Sequence, residues 1–194
     1  MTRVALALLS GLLAGCAGLA ERSHPPASAA GIAGLTGWVA AGRLAVAAGG
    51  DGASGGFVWR QEGAETRLQV RGPLGAGAFE IASDGGQLSI TDAEGQVAGA
   101  AAHDAIRARL GADLPLGSLR YWMIGLPDPA ATGRVTESDT APLRIIDQHG
   151  WTIAYDAFLT SGGLRLPARV TATSGDVRLR LTVSDWTGLQ VKPE

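Results

Sequence analysis

The stretch Val177-Arg178-Leu179-Arg180-Leu181-Thr182-Val183-Ser184 alternates strictly between apolar and polar side chains. This period of two predicts a β-strand with one apolar face and one polar face. Strands of this kind build antiparallel sheets that cover a core on one side and meet water on the other. The stretch therefore predicts the fold class, and related patterns elsewhere in the 194-residue chain extend the sheet.

Weaker forms of the pattern recur after residue 38, separated by short turns rich in glycine. They predict further strands within residues 39–47, 56–61, 67–71, 79–81, 88–91, 143–147, 151–155 and 169–173. Two helices are predicted in the middle of the chain, at residues 103–110 and 114–124. Because these helices must bury an apolar side, the concave face of a curved sheet is the natural place for them. We therefore predict a mainly β (α+β) fold, built as an antiparallel curved sheet or barrel.

The N-terminus has the pattern of a lipoprotein signal. Arg3 precedes an apolar run of about ten residues, which is too short to cross a bilayer of about 30 Å as a helix. Small residues then lead to the cysteine in Leu13-Ala14-Gly15-Cys16, the arrangement of a lipobox. We predict that residues 1–15 are removed as a signal peptide and that a lipid is attached to the Cys16 thiol. The alternative is an ordinary secretory signal with a stray cysteine.

The residues after the signal divide into a tether and one domain. Residues 16–36 are predicted to be the lipidated cysteine and a flexible tether, because Ala, Gly, Ser and Pro dominate there. Residues 37–194 have the length of a single folded domain. No second long apolar run follows, so we expect the lipid alone to attach the domain to a membrane. Ala17, rather than Asp, follows Cys16 and favours the periplasmic face of the outer membrane.

Composition argues against several classes of function. The formal net charge of −2 gives no basic field for nucleic acid. The chain has one cysteine, and lipidation uses it, so a disulfide or a cysteine-based metal site is excluded. His24, His103 and His149 lie far apart in sequence and near no ligand cluster. We therefore predict no metal and no cofactor.

Two glycine-rich strings resemble catalytic or nucleotide-binding motifs but lack their context. Gly52-Ala53-Ser54-Gly55-Gly56 matches the hydrolase elbow, which needs a strand before the serine and a helix after it. The overlapping residues 50–55 match the dinucleotide fingerprint, which needs a helix N-terminus for the pyrophosphate. We place both strings in a turn before a strand. Acidic residues at 84, 92 and 94 also belong to turns, so we predict that the chain is not an enzyme.

The residues alone do not decide the environment of two apolar side chains. Leu74 lies between Pro73 and Gly75 in a turn, where polar residues usually occur, so its side chain either folds back onto the domain or protrudes towards an apolar surface. Trp122 lies on a predicted helix over the sheet, where it either packs in the core or lines a cavity.

The order of several blocks resembles the outer-membrane lipoprotein receptor family LolB. The lipobox is followed by Gly42-Arg43-Leu44-Ala45, by residues 56–61 (GFVWRQ), by Pro73-Leu74-Gly75, by residues 119–127 (LRYWMIGLP) and by Asp185-Trp186. The resemblance covers almost the whole chain after Cys16. The chain differs from the family in being poor in aromatic residues, which make up 5% of its sequence. We therefore expect smaller groups to replace some of the aromatic residues that line the family's cavity.

This resemblance implies an unclosed antiparallel β-barrel with helices that cover an apolar cavity. It also implies a function: a monomer that accepts acylated lipoproteins from the periplasmic carrier LolA and inserts them into the inner leaflet of the outer membrane. The family's membrane-insertion loop falls at Pro73, Leu74 and Gly75, with Leu74 as the exposed leucine. By strand alternation we predict acyl-chain contacts from Trp59, Leu68, Val70, Phe79, Ile81, Leu88, Ile90, Trp122, Ile153 and Leu179.

The sequence also allows an alternative function for the chain and two alternative roles for its arginines. A structural or assembly lipoprotein of the outer membrane, which docks a protein partner by an apolar face, predicts a packed interior with no cavity. The arginines at positions 43, 60, 67 and 71 either meet an acidic carrier or form an ordinary solvated face.

Overall fold

The computed structural model describes residues 29–73, 77–110 and 115–192, with the backbone alone at 29, 30, 51, 109 and 110. Three helices are present in this part of the chain: α1 (Ala29–Ala33), α2 (Ala100–Leu110) and α3 (Leu116–Met123). The strands are β1 (Leu35–Ala48), β2 (Asp51–Glu62), β3 (Glu65–Arg71), β4 (Phe79–Asp84), β5 (Leu88–Asp92), β6 (Gly95–Ala98), β7 (Gly133–Glu137), β8 (Arg144–Gln148), β9 (Trp151–Ser161), β10 (Leu164–Ser174) and β11 (Val177–Val191).

All of these strands form one antiparallel sheet. Its order is β6-β5-β4-β3-β2-β1-β11-β10-β9-β8-β7, so that β1 and β11 join two meanders in the middle of the sheet. The edge strands β6 and β7 do not pair with each other, and the barrel is therefore unclosed over the described residues. This confirms the predicted fold class, a mainly β fold with helices on one face of the sheet.

Close approach of neighbouring strands explains two of the glycines in this sheet. The pairing of β1 with β11 shifts register between Ala41 and Gly42. A Cβ atom on Gly42 would collide with the carbonyl oxygen of Thr182, and one on Gly55 would collide with the carbonyl oxygen of Arg71. Bulges and glycines of this kind let strands bend sharply, which curves the sheet around its inner face.

Strand β11 follows the predicted alternation. Leu179, Leu181 and Val183 are buried on the concave face, whereas Arg178 and Arg180 are exposed on the convex face. The core fills the concave side of the sheet. Its main cluster includes Trp38, which lies 5.5 Å from Trp59 and 5.3 Å from Trp186 between ring centroids.

A second, smaller core cluster lies beneath α2. Its buried members are Ile81, Leu88, Ile90, Ala102 and Ile106. Helix α2 thus packs on β4–β6, and α3 covers another part of the concave face. The helix predicted at 103–110 begins three residues earlier, at Ala100, and the helix predicted within 114–124 spans Leu116–Met123.

The structure differs from the sequence-based boundaries at the start of the domain. Residues 29–36, assigned to the tether, include α1 and the start of β1. Ile32 is buried in the main core, and the carbonyl oxygen of Gly34 accepts a hydrogen bond from the backbone N–H of Lys192 at 2.9 Å. The apolar side chain of Ile32 and these backbone bonds join this segment to the sheet.

Three further strand predictions need correction. Strand β2 starts at Asp51, so the string Gly52–Gly56 lies inside a strand and not in a turn. The edge strands β6 and β7 were not predicted, because all of their residues are exposed and no apolar alternation marks them.

Among the described residues, no helix is both long enough and apolar enough to span a membrane.

Candidate functional site: an apolar cavity beneath helix α3

A cavity of about 50 Å³ lies between the concave face of the sheet and helix α3. Only apolar side chains line it. They come from seven strands, namely the β1–β11 pair and strands on both sides of it, and from α3: Leu44, Val46, Trp59, Leu68, Val70, Phe79, Ile81, Leu119, Trp122, Met123, Ile153, Val170, Ala172, Leu179 and Leu181. Such a lining binds hydrocarbon by burial and offers no polar group to orient a reaction.

Most of the residues predicted for the acyl-chain site meet at this cavity. The structure brings together Trp59, Leu68, Val70, Phe79, Ile81, Trp122, Ile153 and Leu179. Leu88 and Ile90 lie elsewhere, in the smaller cluster beneath α2. They are on the concave face, as their alternation predicts, and α2 packs on that end of the sheet, where Ile81 belongs both to this cluster and to the cavity lining.

Sequence reasoning missed other lining residues, among them Leu44, Val46 and Ala172. Leu44 pairs with Leu181, and Val46 pairs with Leu179, so each lies beside a residue of the best-marked strand. Alternation along β1 could have found Leu44 and Val46. Ala172 carries no such signal, because a small side chain on the concave face is recognised only from its neighbours.

A groove of about 270 Å³ borders the cavity and shares Trp59, Leu68, Ile81 and Leu119 with it. Its outer wall is more polar and includes Thr66, Ser83 and Arg120. The Nε atom of Arg120 is buried without a hydrogen-bond partner, while its Nη2 donates to the Tyr121 hydroxyl at 2.9 Å. The groove thus runs from an apolar floor to a polar rim between α3 and strands β3–β4.

Helix α3 is attached to strand β8 through a buried amide. Gln148 is 3% exposed, and its Oε1 accepts hydrogen bonds from Trp122 Nε1 at 2.9 Å and from the Asp128 backbone N–H at 2.8 Å. Its Nε2 donates to the carbonyl oxygens of Asp128 at 2.9 Å and Ala131 at 2.8 Å. This hydrogen-bond cluster holds α3 and the segment after it against β8, with every polar atom of the amide satisfied.

The carboxylate of Asp128 extends the same cluster. Burial raises its pKa, but hydrogen bonds from the Ser118 hydroxyl (2.7 Å) and the Ala130 backbone N–H (2.9 Å), with the charge of His149, outweigh burial and leave the pKa lowered. His149 Nε2 lies 3.7 Å from the carboxylate. The charged form of Asp128 is therefore favoured in the folded protein.

Two more side chains attach the end of α3 to the sheet. The Tyr155 hydroxyl donates to the carbonyl oxygen of Trp122 at 2.7 Å, and burial raises the pKa of this tyrosine well above its usual value. Arg144 donates to the carbonyl oxygen of Gly125 at 2.6 Å and pairs with Glu137 at 2.7 Å. The C-terminal end of α3 is thus bonded to β8 and β9. In the described part of the chain, no hydrogen bond joins α3 to β2–β5.

The predicted insertion loop joins two strands that line the cavity. Val70 pairs with Phe79 at the ends of β3 and β4, and both side chains face the cavity. Pro73 is exposed at the start of the loop. Leu74 and Gly75 lie outside the described residues, as does the predicted lipidation site Cys16.

The side chains singled out for chemistry do not form a catalytic arrangement in the described residues. Ser54 is exposed in β2, where it pairs with Ala45, and no helix follows it. No group of three or more histidine, cysteine or acidic residues in this part of the chain could hold a metal ion.

The open antiparallel sheet with a helix-covered concave face is a known architecture. A solved LolA superfamily protein from Nitrosomonas europaea superposes with a TM-score of 0.52, over 81% of this chain and 87% of that one, at 11% identity. The structure therefore belongs to the LolA-like fold class.

Sequence comparison identifies the family within this class. Residues 36–186 match the family model for the outer membrane lipoprotein LolB. The chain is 30% identical to the outer-membrane lipoprotein LolB of Pseudomonas fluorescens Pf-5 over 185 residues, covering 90% of each chain. It is 32% identical to that of Halorhodospira halophila over 195 residues, covering 92% of this chain and 94% of the relative. The chain belongs to the LolB family of outer-membrane lipoproteins.

Proposed function

We propose that the cavity beneath α3 receives the acyl chains of lipoproteins and that the predicted insertion loop, Pro73-Leu74-Gly75, delivers them to the membrane. As a member of the LolB family, the chain is an outer-membrane lipoprotein receptor that acts in lipoprotein localisation. The finer steps are our proposal: cargo comes from a LolA-type periplasmic carrier, a lipid on Cys16 holds the receptor at the membrane, and the receptor works as a monomer.

One observation carries this proposal, namely the wholly apolar lining of the cavity. Each methylene of an acyl chain that is kept from water contributes about 0.8 kcal/mol. A chain of many methylenes therefore stays in an apolar environment throughout its transfer. A receptor that binds acyl chains more tightly than the carrier, and less tightly than the bilayer, passes cargo onward without any chemical step.

The size of the cavity adds a requirement. A volume of about 50 Å³ is smaller than the roughly 150 Å³ of an apolar cavity that holds benzene. Acyl chains can enter only when the walls move apart. α3 is hydrogen-bonded to β8 and β9, whereas on its other side it shares an apolar cavity lining with β2–β4, to which Leu119 and Leu68 both contribute. We therefore propose that the opening forms on this second side.

A displacement assay tests the proposal. An apolar fluorescent probe is mixed with the purified full chain, and a diacylated lipopeptide is then titrated in. We expect the probe to bind and the lipopeptide to displace it, with the unacylated peptide as the matched control. If the probe does not bind, or if both peptides act alike, the structural-lipoprotein interpretation gains support instead.

A further inference from the structure

A second concave surface lies on the opposite, convex face of the sheet. It is a groove of about 430 Å³ across β3, β2, β1 and β11. Gly56 of β2 forms its floor, and the strand register places Arg43 of β1 and Arg71 of β3 directly on either side of this glycine. Since adjacent strands lie about 4.8 Å apart, the two arginine backbones are about 10 Å apart, with no side chain between them.

The two arginines differ from their neighbours in lacking a partner. On the same face of β2 and β3, Arg60 pairs with Glu62 at 3.8 Å, and Arg67 pairs with Glu80 at 3.6 Å. Arg43 and Arg71 form no ion pair and no side-chain hydrogen bond with any residue in the described ranges. The sequence alone does not distinguish these four arginines. In the structure, two of them are paired and two are available to bind an anion.

The acidic residues near the groove form no ion pair with Arg43 or Arg71 in the described part of the chain. Asp92 and Glu94 line a neighbouring pocket together with Arg71, and the Asp92 carboxylate accepts hydrogen bonds from the backbone N–H groups of Glu94 and Gly95. Glu80 is already engaged by Arg67 and by Gln69 Nε2, which donates to it at 2.9 Å. Asp185 lies opposite Ala41 in the β1–β11 register, is exposed, and makes no ion pair with Arg43. No carboxylate lines the groove itself. Two unpaired guanidinium groups around an open floor suit a phosphate, which arginine binds through paired N–H groups.

The position of the groove indicates where such a phosphate comes from. Arg71 is the last residue of β3 and lies two residues before Pro73, the first residue of the proposed insertion loop. A bilayer that receives this loop brings its headgroups close to Arg71 and, one glycine further across the sheet, to Arg43. Anionic lipid surfaces attract each nearby arginine by about 1 kcal/mol.

We propose that the groove between Arg43 and Arg71 binds the phosphate of an anionic phospholipid headgroup and orients the receptor on the membrane during delivery. This inference rests on the proposed function, because the loop supplies the contact with the leaflet. The site takes the headgroup, whereas the cavity on the other face takes the acyl chains of the cargo.

Vesicle binding tests the proposal. The mature chain from residue 16 carries Cys16→Ala, so that an acyl anchor does not mask surface contacts, and its circular dichroism is first matched to that of the lipidated chain. Vesicles contain phosphatidylcholine alone or phosphatidylcholine mixed with phosphatidylglycerol. We expect stronger binding to the mixed vesicles, and this preference should weaken as the salt concentration rises.

Three variants locate the binding on the groove. Arg43→Gln should lower the partition into mixed vesicles about fivefold, which is the effect of one lost cationic contact. Gly56→Val should also lower it with both arginines intact, because the added Cβ would meet only the Gly42 carbonyl oxygen, at 3.8 Å, and fills the floor. Arg60→Gln is the matched control, since that arginine is on the same face but already paired, and it should bind as the parent does.

Equal binding of Arg43→Gln and Arg60→Gln, or equal binding of both vesicle types, would overturn the proposal. It would also fail if Arg43→Gln bound vesicles normally but lost affinity for the carrier, because the groove would then serve a protein. Acceptance of cargo is measured on the same variants. If the parent chain does not accept cargo, the proposed function is contradicted. If it accepts cargo normally but shows no preference for anionic headgroups, only this inference is contradicted.

Discussion

The indole N–H of Trp122 donates to the side-chain oxygen of Gln148 at 2.9 Å, and both residues are buried. Trp122 also lines the cavity, so one residue connects the apolar site to the hydrogen-bond cluster that positions it. Hydrogen bonds thus hold the C-terminal end of α3 to β8 and β9, whereas none joins α3 to β2–β5 in the described residues. Under our proposal, α3 separates from the sheet on the β2–β5 side.

Replacing Gln148 tests this attachment. Gln148→Leu keeps a similar volume but removes the hydrogen-bond partner of the Trp122 indole N–H, of the Asp128 backbone N–H and of the Ala131 carbonyl oxygen. Because each buried unsatisfied group costs about 1–3 kcal/mol, we expect the free energy of unfolding to fall by about 3 kcal/mol. Urea unfolding measures this change. Gln96→Leu, at an exposed position of β6, is the control and should change stability little. An unaffected Gln148→Leu protein would show that the cluster does not hold α3.

Acid should weaken the same cluster through Asp128. Its pKa is lowered in the fold, so its contribution to stability is complete above the ordinary value of 3.8 and is lost as the pH falls through the lower folded value. Asp128→Asn should therefore be less stable than the parent at neutral pH, and the difference should shrink in acid. Urea unfolding at a series of pH values checks this. Asp84→Asn, on an exposed carboxylate, should show a smaller effect. A difference that grew in acid would contradict the assigned direction.

Local alternation predicts which face of the sheet a residue lies on when the neighbouring strands have the same pattern. Alternation of apolar and polar residues places Leu179 and Ile153 on the concave face, and both line the cavity. It places Leu88 and Ile90 on the same face, but it does not reveal that they lie in the smaller cluster beneath α2. Which helix covers which end of the sheet depends on contacts with α2, and its short and weakly amphipathic sequence does not carry that information.

The polar cluster was beyond sequence reasoning for a different reason. Gln148 and Asp128 are 20 residues apart, and only the folded chain brings them together. A signal was nevertheless present, since Gln148 follows Ile146 at a spacing of two and so faces the core. A polar residue at an inward position of a strand indicates a buried hydrogen-bond partner, although it does not identify that partner.

Filling the cavity should separate binding from folding. Ala172→Leu adds three carbon atoms at a buried lining position, and we expect affinity for an apolar probe to fall roughly tenfold or more, because each excluded methylene contact contributes about 0.8 kcal/mol. Stability should change by less than about 2 kcal/mol, since the cavity accepts part of the added volume. Probe titration and urea unfolding measure the two quantities. Ala45→Leu, on the convex face of β1, should bind the probe as the parent does. Unchanged affinity in Ala172→Leu would place the site elsewhere.

The membrane-insertion role of Leu74 is a sequence-based prediction that functional assays can test directly. A glutamate at this position would carry charge into the apolar part of the leaflet, and burial of an unpaired charge is strongly unfavourable. We expect Leu74→Glu to fold and to accept cargo from the carrier, but to deliver that cargo to phospholipid vesicles at least tenfold more slowly. Transfer of a labelled lipoprotein is followed in two stages, first to the receptor and then to the vesicles.

The direction of the strands determines where a control substitution lies far from this loop. Thr160→Glu is the matched control, because Thr160 is exposed near the C-terminal end of β9. In the antiparallel order that end lies opposite to the β3–β4 connection, so an added charge there should leave both stages unchanged. If Leu74→Glu delivers cargo as fast as the control, the loop is not the insertion element. If it fails at the first stage instead, the loop contacts the carrier or the cargo, and delivery must use another surface of the domain.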